Sequence, residues 1–314
     1  MQLVRQLSQI VLPSNQRSVL TIGAYDGIHR GHRQVILGLR QAAASYQAPS
    51  ILLAFHPRPK AVFAPHLKSD YLTTLNEKIT IFRALQLDIV AILPFTLEFA
   101  QTPARTFVEQ VFNAVRPLEL WVGSDFKLGK NREGDVSFLQ TLGQEMGFLV
   151  KVVDMEMAGE EKISSTQIRE ALSSGEIRQV TYLLGDYAFL QGQVVKGAQR
   201  GHTIGFPTAN IAVDKDKLLP VNGVYAVWLH IGGEIYPAVA NIGVRPTFDG
   251  RERTVEAHIF DFERDIYGQN VRVDFVEYLR PEQKFSGLDA LITQIRLDAQ
   301  RARKILKSEV RPLT

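Results

Sequence analysis

The sequence predicts two folds in series: a doubly wound α/β domain with a parallel sheet, then a small antiparallel β-barrel with a terminal helix. Three observations carry that expectation. From Val19 to about Leu184 short β-branched runs alternate with helical patterns, the order that yields a parallel sheet with helices on both faces. After about Gly185 strand-like runs follow one another with only Gly, Asn, Asp and Pro turns between them, as in small closed barrels. The stretch Leu288 to Lys307 returns to helical spacing through Leu291, Ile292, Ile295, Leu297 and Ile305.

The first strand is SVLTI, Ser18 to Ile22, apolar enough for the middle of a sheet, and Arg33 to Tyr46 continues it with Val35, Ile36 and Leu39 at helical spacing. Strands are then expected at Ser50 to Phe55, Asp88 to Leu93, Glu119 to Gly123 and Phe148 to Val153. Helices are expected around Leu75 to Leu85, Pro103 to Ala114, Ser137 to Met146 and Thr166 to Ser173. In the second half AFLQGQVV, VYAVWLHI, YPAVANIG, TVEAHIFDF and VRVDFVEYL imply five or six barrel strands. The boundary is set near Gly185, giving domains 1–185 and 186–314 with little linker.

Composition narrows the function. At 314 residues, 45% hydrophobic and 22% charged, the chain reads as a soluble globular protein. It has no cysteine, which excludes disulfides, thiolate metal sites and thiol nucleophiles. The opening MQLVRQLSQIVLP is broken by Arg5 and Pro13, too short for a spanning helix and without a small-residue cleavage site. A cytoplasmic protein with no membrane partner is therefore expected. The net charge of +3 is spread without a dense Lys/Arg block, so anionic small molecules are expected rather than nucleic acid. Oligomeric state is left open.

Residues 23 to 32, GAYDGIHRGH, follow the first strand, where open parallel sheets bind ligands against a helix N-terminus. Neither G-x-G-x-x-G nor G-x-x-x-x-G-K-[ST] occurs, which disfavours a redox dinucleotide fold and a P-loop. Three readings of His29 and His32 are open: metal ligands short of a third partner, capping or solvated side chains, and hydrogen-bond donors to a phosphate. The later ISSTQIREAL, Ile163 to Leu172, sets Ser164 as N-cap with Gln167 closing a capping box. The hydroxyls either cap the helix only or join its N–H groups and Arg169 in holding phosphates. GHTIGFPTAN, Gly201 to Asn210, places Thr208 and Asn210 on alternate positions of an extended segment, oxygen donors suited to magnesium held largely by phosphates and water.

These strings carry a resemblance. H-x-G-H after a first strand resembles the signature of nucleotidylyltransferases, and ISSTQIR resembles their second phosphate-binding element. G-F-P-T-A-N resembles the flavokinase motif of the prokaryotic bifunctional riboflavin kinase/FAD synthetase (FMN adenylyltransferase) family. GAYDGIHRGH, AFHPRPKAVF, GSDFKLGKNREGD, ISSTQIR, GFPTAN, GVYAV, NIGVRPTF, TVEAHIFDFERDIYG and LRPEQKF follow in that family's order along nearly the whole chain.

The resemblance implies a nucleotidylyltransferase fold for the first domain and a two-step activity. Riboflavin is phosphorylated by ATP to FMN, releasing ADP, and FMN is adenylylated by a second ATP to FAD, releasing pyrophosphate. Mg²⁺ enters as Mg–ATP. By the same resemblance Thr208 and Asn210 bind Mg–ATP in a loop with Gly205 and Pro207. Glu256 is the base for the ribityl hydroxyl, and spacing alone leaves its orientation open. Arg280 stands at the rim of the flavin site, while Asn241, Arg245 and Thr247 lie near the substrate with no assigned step. For adenylylation the resemblance implies Gly23, Asp26, His29, His32, Ser164, Ser165, Thr166 and Arg169 at ATP, with Asp125 and Phe126 lining the nucleotide or flavin site. The departures are Tyr25 in G-x-F-D-G, Arg58 where His is frequent, with His56 two residues before it, Leu128 for a usual Phe, and His202 for Arg. Two other readings stay open: an adenylyltransferase for another substrate such as tRNA, which leaves GFPTAN and TVEAH unexplained, and a flavin-binding regulator that has lost one or both activities.

Overall fold

The strand–helix alternation of the first half closes into one parallel sheet. The computed structural model describes residues 1–64, 70–154, 157–158, 161–197, 204–247 and 250–309, and the chain divides into two units, Met1–Ile163 and Ser164–Thr314. In the first unit β1 (Gln2–Val4), β2 (Ser18–Gly23), β3 (Ser50–His56), β4 (Ile89–Pro94), β5 (Pro117–Gly123) and β6 (Leu149–Val153) lie in the order β1-β4-β3-β2-β5-β6. Every neighbouring pair is parallel. The helices are α1 (Arg30–Ser45), α2 (Pro59–Phe63), α3 (Leu75–Ala84), α4 (Ala104–Val115) and α5 (Val136–Met146). A short antiparallel ribbon of β7 (Met157–Ala158) and β8 (Glu161–Lys162) follows.

Both faces of β2 are covered, so its residues alternate between two packed layers. Leu20 and Ile22 join Phe107 and Val111 of α4 and Leu139 and Leu142 of α5 in one core. The opposite face meets α1, where Gly38 lets the helix settle on Trp121: a Cβ there would lie 2.2 Å from the indole. The buried hydroxyls are satisfied, Ser18 donating to the Val115 carbonyl at 2.6 Å and Thr21 to that of Trp121 at 2.7 Å. Strand order runs outward from β2 through β3 to β4 and then jumps to β5 on its other side. Crevices beyond the carboxyl ends of such strands are the ligand sites of open α/β sheets, and GAYDGIHRGH and GSDF follow β2 and β5 there.

The second unit begins with α6 (Ser165–Ser174) and α7 (Ile177–Leu184). Helix α7 was not among the expected elements, although Ile177, Val180, Leu183 and Leu184 are buried at helical spacing between Gly175 and Gly185. Then β9 (Ala188–Val195), β10 (Ala209–Val213), β11 (Gly223–Ile231), β12 (Glu234–Thr247), β13 (Gly250–Ile259) and β14 (Asn270–Arg280) close a barrel in the order β10-β13-β12-β11-β14-β9. Strand β10 is the sixth, hidden in the sequence by the Gly, Pro and Thr that precede it. Helix α8 (Leu288–Ser308) covers part of the outer surface. Its Ala302 and Leu306 pack on Val224, Ala226 and Trp228 of β11 and Val239 of β12. Among the described residues no helix is long and apolar enough to cross a membrane.

Candidate active sites

The turn after β2 is held in a conformation that side chains rarely adopt. Tyr25 (φ 49), Gly27 (φ 89) and Ile28 (φ 45) all have positive φ, and a β-branched residue there is an outlier that its surroundings must enforce. Gly23 permits the fold-back, because a Cβ at that position would lie 2.8 Å from the Tyr25 ring. The Tyr25 hydroxyl is 2.6 Å from Thr21 Oγ1 in the interior, and burial raises its pKa. The Asp26 carboxylate accepts from Arg58 at 2.8 Å and from the Leu72 and Thr73 amides at 3.0 and 3.3 Å. Gly27 donates to Thr73 Oγ1, and Lys78, only 1% exposed, donates Nζ to the Ala24 carbonyl at 2.7 Å. Burial pushes Lys78 down to about 8. Asp26 and Lys78 thus hold the turn from within.

Helix α1 begins at Arg30, three residues before the expected start, because Arg33 N already bonds to His29 O at 2.9 Å. His29 therefore occupies the N-cap position, without a side-chain cap bond, and His32 lies in the first turn. Their rings stack with centroids 3.8 Å apart. Both Nδ1 atoms are buried with no partner among the described residues. Among those residues no group of three His, Asp or Glu side chains is placed to hold a metal ion. Burial pushes His29 down to about 4, against the pull of the Asp125 and Asp26 carboxylates. Burial, with the nearby His29 and Lys78, holds His32 well below the usual range. Both imidazoles are therefore neutral at pH 7, each with one N–H to donate. Asp125 is exposed, while Phe126 packs against the core.

These shifts set a pH dependence. An unfolded histidine titrates near 6.5, so between that value and about 4 the unfolded chain binds more protons than the native one. The stability this contributes is complete above about pH 6.5 and is lost as pH falls toward 4. Thermal midpoints measured across that range should fall more steeply for the parent chain than for His29→Gln.

At the start of the second unit Ser164 Oγ accepts from Gln167 N at 3.3 Å, and Gln167 Oε1 accepts from Ser164 N at 3.0 Å, closing the expected capping box. Arg169 donates to the Ser165 carbonyl at 3.1 Å and is half-buried, while Thr166 is exposed.

The barrel brings a second constellation together through strand register. Arg280 lies opposite Val224, Val224 opposite Asn241, Asn241 opposite Glu256 and Glu256 opposite Asn210. Residues opposed in this way share a face with Cβ atoms roughly 5 Å apart. The face is the outer one, because Val224 and Val239 on it pack under α8. Glu256 is thus turned outward, opposite the buried Val255 and Ala257. A cavity of about 320 Å³ opens there, lined by Phe206, Thr208, Asn241, Glu256, Arg280 and the α8 residues Leu291, Ile295 and Asp298, among others. Thr208 Oγ1 stands 3.5 Å from Glu256 Oε2. Asn210 packs instead against Gly197, where a Cβ would lie 2.2 Å from its Nδ2. Gly205 has φ +80 and, among the described residues, no neighbour within 4 Å of the place a Cβ would take.

Two family models match the chain, FAD synthetase over residues 12–167 and riboflavin kinase over residues 184–306. The bifunctional riboflavin kinase/FMN adenylyltransferase of Haemophilus influenzae is 38% identical over 295 residues, covering 93% of this chain and 96% of that one. That of Escherichia coli K12 is 37% identical over 306 residues, 97% of each. The chain belongs to the bifunctional riboflavin kinase/FMN adenylyltransferase family. A crystal structure described as a macrolide-efflux protein from Streptococcus pneumoniae is 30% identical and superposes with a TM-score of 0.88 over 96% of this chain and 98% of that one.

Within the flavokinase barrel Arg280 is not a free cation. Its guanidinium donates to both carboxylate oxygens of Asp298 at 2.8 to 3.0 Å, and Gln294 adds a bond to Asp298 at 2.9 Å. Asp298 is 6% exposed, so the pair ties α8 to the end of β14. Removing one partner of a largely buried pair leaves an uncompensated charge, a cost on the order of 3 kcal/mol. Asp298→Ala should therefore lower the barrel's thermal transition by calorimetry, and an unchanged midpoint would show the tie to be incidental. The sequence reading missed Asp298 and His258, which acquire meaning only across strands and helices. In the FAD synthetase unit Arg58 takes its place as partner of Asp26, and His56 faces Tyr71 with ring centroids 5.7 Å apart. Leu128, 9% exposed, packs in the core. His202 lies outside the described residues, as do the side chains of Arg245 and Thr247.

Proposed function

We propose that Glu256 activates riboflavin for phosphorylation on the outer face of the barrel, and that His29 and His32 hold ATP phosphates during adenylylation of FMN. Riboflavin kinase and FMN adenylyltransferase are the two activities of this chain, a transferase that makes FMN and then FAD. The row Arg280, Asn241, Glu256 and Asn210 carries the kinase assignment: four residues distant in sequence share one face, and Arg280, Asn241 and Glu256 line one cavity on it. Residues 1–185 carry adenylylation and 186–314 phosphorylation.

In the kinase step Glu256 takes the proton of the ribityl 5′-hydroxyl as its oxygen attacks the γ-phosphorus of ATP, and ADP leaves. Positioning and charge neutralisation suffice, without a covalent intermediate. Thr208 Oγ1 and Glu256 are hard oxygen donors side by side, with Asn210 opposite Glu256 in register, a set that fits magnesium held mainly by phosphates and water. Thr208 and Asn210 would hold the ion with Gly205 and Pro207 framing the phosphates, and it supplies positive charge to the transferring group. In adenylylation the FMN phosphate attacks the α-phosphorus of a second ATP and pyrophosphate leaves. The neutral His29 and His32 donate N–H groups to the developing charge. Ser164, Ser165, Thr166 and Arg169 form the second phosphate element, and Asp125 and Phe126 line the nucleotide or flavin site. The work is cytoplasmic, with no nucleic-acid or membrane partner.

Incubation of the purified protein with riboflavin and Mg–ATP, followed by chromatography, should show FMN and then FAD. FMN without FAD would leave only the barrel active. Flavin binding without either product would favour a flavin-binding regulator.

A further inference from the structure

We propose that His258 is a positioning residue for riboflavin phosphorylation, holding the Gly205–Thr208 segment on β13 through a hydrogen bond from Nδ1 to the Pro207 carbonyl. The inference rests on the placement of the kinase step at Thr208 and Glu256. Glu256 and His258 are two apart on β13 and so share its outer face. Each reaches one of two successive residues of the segment: Glu256 stands by Thr208, and His258 Nδ1 lies 2.8 Å from the Pro207 oxygen. The two contacts differ in strength. At 3.5 Å the Thr208–Glu256 approach is at the limit of a hydrogen bond, which leaves both groups available to a ligand. The His258 contact, at 2.8 Å, is well within hydrogen-bond distance and is the shorter of the two.

The chemistry of the segment explains why a side chain is needed. Pro207 has no N–H to give a neighbouring strand, and residues 206–208 precede the ladder that starts at Ala209. Gly205 has φ +80, and among the described residues nothing lies within 4 Å of where its Cβ would be. A carbonyl only accepts, so the bond fixes the proton of His258 on Nδ1. The ring is itself oriented by Phe206 and Phe260, with centroids 5.4 and 5.8 Å away at steep angles. His258 lines the cavity with Thr208 and Glu256, so a shift of the Pro207 carbonyl would move the Thr208 hydroxyl relative to the base.

The test exploits the two ring nitrogens. Asn places its side-chain amide near the position of Nδ1, whereas Gln places it near Nε2. In the full-length protein His258→Gln should lower kcat/KM for riboflavin phosphorylation by about tenfold, the worth of one lost hydrogen bond, mostly as a raised KM for ATP. His258→Asn should recover most of that loss. FAD formation from supplied FMN should be unchanged in both. Should His258→Gln fail to fold, His258→Ala against His258→Asn gives the same comparison. Equal defects in Asn and Gln, or parent-like kinetics in Gln and Ala, would overturn the role. Thr208→Ala and Glu256→Gln run alongside separate the two levels. If they retain phosphorylation, the kinase-site reading fails; if they lose it while His258→Gln does not, only the present inference fails.

Discussion

Glu256→Gln is expected to lower riboflavin phosphorylation by roughly a thousandfold while leaving FAD synthesis from supplied FMN intact. The amide keeps the shape of the carboxylate and its approach to Thr208 but cannot take up the proton of the attacking hydroxyl. Loss of a positioned general base costs about 10²- to 10⁴-fold. Chromatography of reactions started with riboflavin should therefore show neither FMN nor FAD, and reactions started with FMN should proceed normally. Residual phosphorylation within a few-fold of the parent would remove Glu256 from the chemistry. Glu256 is half-buried and lines a cavity on the α8 side.

His29→Ala and His32→Ala are expected to show the reverse split, with FAD synthesis from FMN falling by about a hundredfold and FMN formation unaffected. Each neutral imidazole has one N–H, and removing one such donor from a developing oxyanion costs about that much. The stacked rings, 3.8 Å apart, also support each other, so neither substitution is expected to be mild. Single-turnover measurements with FMN and Mg–ATP check the rate directly, and circular dichroism checks that the variant is folded. Equal loss of both activities in a folded variant would defeat the assignment of two separate sites.

How legible these sites were in the sequence differs between them. The H-x-G-H turn announced itself, since two histidines among glycines after a buried strand lie where open sheets bind ligands. What the turn needs underneath it did not. Lys78 sits in an ordinary helical pattern, and only the packed structure places its Nζ on the Ala24 carbonyl. Asp26 could be read as a turn cap or as a ligand, and only the packed structure shows that Arg58 and the Leu72 and Thr73 amides donate to it. GFPTAN was legible as a string, yet its second strand residue, Asn210, turns to Gly197, a neighbour thirteen positions earlier.

By itself the sequence determined the two architectures, because period-3.6 and period-2 burial patterns are local and survive in any short window. It also determined the Ser164 capping box, whose partners are three residues apart. Only the tertiary structure decided which face of the barrel Glu256 occupies. Alternation told that Glu256 opposes Val255 and Ala257, but strand periodicity has no inside or outside until a helix covers one face. Helix α8 does so at Val224 and Val239, and register then brings Arg280, Asn241, Glu256 and Asn210 into line. The pairing of Arg280 with Asp298 was likewise decided there, because two charges 18 residues apart meet only when a strand end and a helix are packed together.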